Sequence, residues 1–93
     1  MDNAKLSHTL NSIGKAFFVK YLKAAQADYT NATIAKAIVE ETNYTLGSCQ
    51  VRISKIRSIL RAERARDALS IVVNSQVQAD TRLSAIKQLH EHL

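Results

Sequence analysis

Between Arg52 and Arg66 the chain carries six basic residues, Arg52, Lys55, Arg57, Arg61, Arg64 and Arg66, against one acid, Glu63. Among the arginines only Arg82 lies elsewhere. The N-terminal half uses lysine instead, at Lys5, Lys15, Lys20, Lys23 and Lys36. A guanidinium is a planar fork of donors that matches phosphate oxygens and the guanine edge. A cluster of them points to a polyanion. The whole chain agrees: thirteen Lys and Arg against eight Asp and Glu leave a net charge of +5, with a pI near 9.7. A basic patch in a domain with pI above about 9 is the electrostatic footprint of nucleic-acid binding. The competing reading is that an Arg-bearing amphipathic helix is simply a solvated face.

Other chemistry finds little material. There is no glycine-rich phosphate loop, no H-E-x-x-H, no G-x-S-x-G and no Cys/His pairing. Glu40 and Glu41 are adjacent and diverge on a helix. His90 and His92 are two apart and diverge likewise, so with His8 they form no ligand set. Cys49 is the lone cysteine, which excludes an intramolecular disulfide framework and a multi-cysteine zinc site. A helix N-terminus lowers a thiol pKa, but Cys49 reads most simply as a small buried hydrophobe. No enzyme activity, metal or cofactor is expected.

The elements that must position the arginines come next. No Pro and only two Gly, in 93 residues, argue for helices over a turn-rich β fold. The first helix is expected over about Leu6 to Ala27. Leu6, Leu10, Ile13, Phe17, Tyr21 and Ala24 recur on one face. Gly14 costs about 1 kcal/mol inside a helix, so the helix could instead start at Ser12 after a separate turn. Phe17, Phe18 and Tyr21 read as core before they read as a base-stacking platform. Asn31 or Thr30 caps a second helix, about Ala32 to Glu41, that buries Ile34, Ala35, Ala37 and Ile38. Thr42 to Gly47 reads as a turn, with Gly47 taking a positive φ. Ser48 then caps the third helix, whose core stripe is Cys49, Ile53, Ile56 and Leu60. A second stripe holds Gln50, Ser54, Arg57 and Arg61, and a third holds Ser48, Arg52 and Lys55. Ile71, Val72 and Val73 continue as helix or enter a hairpin, with the alanines before them favouring helix. Asp80 or Thr81 starts the last helix, with Leu83, Ile86, Leu89 or His90, and Leu93 as its apolar face.

A short helix, a turn holding Gly and a longer helix with Arg on its outer face resemble the helix-turn-helix of DNA-binding proteins. The resemblance covers about Thr33 to Arg61. It implies that the second helix of the pair lies in the major groove, with its N-terminal side chains on base edges. Gln50, Ser54 and Arg57 would then meet bases, and Ser48, Arg52, Lys55, Arg61 and Arg64 would complete the DNA-binding set, mostly on phosphates. The turn from Thr42 to Gly47 is longer than the family's common form. A second resemblance is to phage small-terminase DNA-recognition domains. It rests on Phe17-Phe18-Val19-Lys20-Tyr21-Leu22 followed by Asn31-Ala32-Thr33-Ile34-Ala35. The Ala-Gly-Tyr-Ser segment of those domains is replaced by Ala37-Ile38-Val39-Glu40.

The expected architecture is an all-α domain of four to five helices: a helix-turn-helix core over 1–67 and a C-terminal oligomerisation segment over 68–93. Leu69, Val72, Val73, Val77, Leu83, Ile86, Leu89 and Leu93 exceed what a three-helix core can cover. Left exposed they would form a patch unusual for a monomer, which predicts a homodimer, or a ring under the terminase likeness. The alternative is that the last helix folds back on its own subunit. With no bilayer-length apolar run and no signal-peptide block at Met1 to Lys5, a cytoplasmic location is expected. The expected function is double-stranded DNA binding, as a small bacterial or phage transcriptional regulator. The alternatives are a phage DNA-packaging subunit and a helical adaptor whose basic face meets an acidic protein.

Overall fold

The computed structural model describes residues 1–91, and among them it is all-helical. Six helices follow one another: α1 (Asn3–Ile13), α2 (Lys15–Gln26), α3 (Asn31–Glu41), α4 (Leu46–Arg61), α5 (Ala65–Val73) and α6 (Ala79–Glu91). That is one or two more than expected, because two breaks fall where the periodicity runs on.

The first break is at Gly14, with φ +91. Its N–H closes α1 on the Leu10 carbonyl, and α2 starts at the next residue. A Cβ at Gly14 would lie 3.3 Å from Arg52 Nη1. Conformation and space both require glycine here. The hydrophobic stripe survives the break: Leu6, Leu10, Ile13, Phe17 and Tyr21 are all buried. The aromatic cluster Phe17, Phe18 and Tyr21 is core.

The second break separates α4 from α5. Glu63 takes φ +58. Its N–H meets the Leu60 carbonyl, and that of Arg64 meets the Ile59 carbonyl. This is the Schellman pattern, with Glu63 in the left-handed position that usually falls to glycine. Without a Gly there, the sequence hides the stop. Ile71, Val72 and Val73 are helical, and no hairpin forms.

The α3–α4 connection is also corrected. Only Thr42 to Thr45 lie between the helices, so the turn is four residues long. Gly47 is helical, and its φ is not positive. The cap is Thr45, whose side chain accepts from Ser48 N, not Ser48 itself. Thr30, not Asn31, caps α3 by accepting from Thr33 N. Thr42 tightens the turn by donating to the Ile38 carbonyl at 2.8 Å.

Helix α4 is the centre of the packing, touched by α1, α2, α3 and α5. It buries Cys49, Ile53, Ile56 and Ile59; Leu60, expected in that stripe, is half-buried. Helices α5 and α6 form a pair, and α6 folds back across α2. In the segment read as the C-terminal oligomerisation part of the domain, Ala68, Leu69, Val72 and Ala85 join the same core as Leu6 and Ile56, with Val73, Val77 and Leu89 packed against it, as the fold-back alternative has it. The expected stripe of α6 is only partly inward: Leu89 packs on the core and Ile86 is half-buried, but Leu83 is 66% exposed, while Ala85 and Gln88 are buried. Leu93 lies outside the described residues.

Candidate functional site

The basic segment divides into two populations with different work. Arg52, on one flank of α4, donates from Nη1 to the Ile13 carbonyl and from Nε to Ser48 Oγ at 3.1 Å. Its guanidinium lies over the rings of Tyr44 and Phe17, 4.8 and 5.3 Å from their centroids. Arg57, on the other flank, donates to the Ala25 carbonyl at 3.0 Å, Ala27 at 3.1 Å and Tyr29 at 2.6 Å. A fourth bond goes to Asn31 Oδ1. Arg64 joins the start of α1 through the Met1 carbonyl and Asn3 Oδ1, and pairs with Asp67 at 2.7 Å. Arg82, outside the cluster, does the same for the end of α5, donating to the carbonyls of Val73 and Ser75.

The physical reason is common to Arg52, Arg57 and Arg82, whereas Arg64 ties the residues before and at the start of α1. The last carbonyls of a helix have no partner inside it and carry the negative end of its dipole. A guanidinium offers several donors in one plane and so can gather carbonyls that diverge. Arg52 serves the end of α1, Arg57 the end of α2 and the loop to α3, and Arg82 the end of α5. Arg57, expected to read a base, therefore has most of its five donors engaged within the fold. Arg52 and Arg64, expected on phosphates, are likewise held. Ser48 is half-buried and accepts from Arg52.

What α4 turns outward is different in kind. Gly47, Val51, Ser54 and Arg61 are exposed, with Gln50 and Ser58 half-exposed beside them. Val51 is 53% exposed, an uncommon setting for a valine on an otherwise polar ridge. Arg61 donates to Ser58 Oγ at 3.3 Å and is otherwise exposed. Lys55 reaches Ser12 Oγ on α1 at 3.0 Å and is otherwise open on the ridge's flank. Arg66 is exposed beyond the end of α4. Thus Gln50, Ser54, Lys55 and Arg61 share one accessible side of α4, whereas Arg52, Arg57 and Arg64 serve the helix ends behind it.

Two tyrosines stand beside this side, at breaks that periodicity placed but could not interpret. Tyr44, in the α3–α4 turn, packs edge-on against Phe17 at 5.4 Å. Tyr29, in the α2–α3 loop, is 64% exposed and borders an open cleft of about 450 Å³ with Arg57 and Arg61. Tyr21 is buried and donates to Glu41 Oε1 at 2.8 Å. Burial, and then the Glu41 carboxylate, push its pKa from 10.0 up to about 12. Burial also pushes the Cys49 thiol up, against a smaller lowering by Arg52. A buried thiol with a raised pKa is a poor nucleophile, in line with a packing role.

Among the described residues no three His, Cys, Asp or Glu side chains are placed to hold a metal ion. No helix among them is long and apolar enough to cross a membrane. Scans against protein-family models, curated proteins and solved structures find no match to this chain.

Proposed function

We propose that this chain binds double-stranded DNA as a helix-turn-helix protein, with α4 in the major groove. The observation that carries the reading is the α3–α4 pair. A four-residue turn joins the helices, and turns of 3–4 residues are those of the DNA-binding motif. The second helix keeps its outer ridge clear of the rest of the fold, on a chain of net charge +5. Gln50 and Ser54 are the base-edge residues. Lys55 and Arg61 are the phosphate contacts, joined by the exposed Arg66. Arg52, Arg57 and Arg64 are positioning residues that fix α1, α2 and the α2–α3 loop around α4.

A single module of this size buries only roughly 600–1,000 Å² on DNA, and specificity usually comes from two modules on a two-fold site. A regulator that binds as a dimer fits that need. Its contact cannot use Leu69 or Val72, which are fully buried in their own subunit. Leu83 and Ile86, three apart on α6, are the apolar side chains it would use.

Fluorescence anisotropy on a labelled random duplex, from 50 to 200 mM salt, tests the reading. Affinity is expected to fall linearly with salt on logarithmic axes, each lost phosphate contact lowering the slope by about 0.9. Arg61→Ala is expected to lower it by about one charge. Absence of duplex binding at 50 mM salt would overturn the proposal and favour the adaptor reading, in which an acidic protein meets this face.

A further inference from the structure

This inference rests on the DNA reading above and concerns which bases α4 meets. Guanine is read best by Arg or Lys, which donate to its O6 and N7 acceptors. On α4 the arginines nearest the N-terminus are withdrawn from the ridge, and Lys55 stands on its flank. Arg52 is bound to the end of α1, Arg57 to the α2–α3 junction, and Lys55 leans on Ser12. Arg61 stands fifteen residues beyond Leu46, about 22 Å along a helix. The part of the helix that enters a groove first therefore offers Gln50, Val51 and Ser54. A glutamine amide matches the N6 and N7 of adenine, and an apolar group matches the C5 methyl of thymine. Val51 is 53% exposed and lies outside the core cluster, and Leu46 at the start of α4 is exposed too. Gln50 and Val51 are consecutive and straddle the ridge, so they reach neighbouring base pairs.

We infer that α4 reads an A·T-containing step, with Val51 packed on a thymine methyl and Gln50 paired to an adenine. Gly47 and Ser54, both small, flank Val51 along the ridge and let the helix approach the base edges closely.

The experiment uses the full chain and a site enriched from random duplexes. Each thymine of that site is replaced in turn by deoxyuridine, which lacks only the methyl group. At one position the replacement is expected to weaken the wild-type protein about fourfold, the weight of one buried methyl-sized group. Val51→Ala is expected to bind the thymine and deoxyuridine sites equally. Gln50→Ala is expected to lose about tenfold in its preference for adenine at the neighbouring pair. Both residues are on the surface, so the core is untouched. A guanine-centred site, a site indifferent to every thymine methyl, or a methyl effect that persists unchanged in Val51→Ala would overturn the inference and leave DNA binding standing. A chain that binds no duplex would overturn both.

Discussion

Helices α4 and α6 are both amphipathic in sequence, yet they meet the core in opposite ways. Helix α4 buries Cys49, Ile53 and Ile56, which its spacing announces, with Ile59 in place of the expected Leu60. Helix α6 buries Ala85 and Gln88 and turns Leu83 to solvent. The difference lies in what each helix packs on. Four helices surround α4, and large side chains fill the space between them. Helix α6 lies chiefly on α5 and α2. The small Ala85 faces that contact, and Gln88 Nε2 donates to the Val19 carbonyl of α2 at 2.8 Å. That bond and the small Ala85 lie on the inner side of α6, while Leu83 is exposed and Ile86 half-buried. Gln88 Oε1 is buried with no hydrogen-bond partner among the described residues.

The comparison breaks most severely at Ile56, which is fully buried. Ile56→Asp is expected to unfold the chain, because it buries an unpaired charge and removes packing at the centre. A cooperative melt of the soluble variant by circular dichroism would contradict the placement of α4. Arg57→Ala is expected to cost about 2–4 kcal/mol in urea unfolding, since charged hydrogen bonds contribute about 1.5–3 kcal/mol each and not additively. A loss below about 0.5 kcal/mol would show that Arg57 is not the anchor of the α2–α3 junction.

A smaller effect is expected at alkaline pH. Tyr21 holds its proton more tightly folded, at about 12, than unfolded, at 10.0. Its contribution is therefore complete below pH 10 and is lost as pH rises toward 12. Unfolding curves across that range should show the decline in the wild type and a flatter one in Tyr21→Phe. The smallest change is expected on α6. Gln88→Leu loses the bond to Val19 but removes an unpartnered acceptor, so stability should stay within about 1 kcal/mol of the wild type. A loss above about 2 kcal/mol would make the Val19 bond the main tie of α6 to α2.

Much of the inner half of the chain was legible. The stripes Leu6 to Tyr21, Ile34 with Ala35 and Ile38, and Cys49 with Ile53 and Ile56 recur at helical spacing and are buried, whereas Ala37, expected on the buried side of α3, is exposed. The breaks were less so. Gly14 announced itself, but Glu63 holds a left-handed conformation that no residue type there signals. In the candidate site, Gln50, Ser54, Lys55 and Arg61 lie where helical geometry put them. Arg52, Arg57 and Arg64 do not, because their partners lie 26 to 63 residues away in sequence. Sequence charge counts a guanidinium equally whether it faces solvent or a helix end.

The sequence by itself determined that this chain is helical, which side of each of its first four helices is apolar, and that it carries excess positive charge. Those properties follow from the 3.6-residue period and from residue type, and both are local. Only the tertiary structure decided which arginines remain accessible and which way α6 turns. Both depend on where the unpaired carbonyls at other helices' ends, and that of Val19 within α2, come to lie after folding. A long polar side chain goes to the acceptor within its reach, and the chain's order does not record that distance.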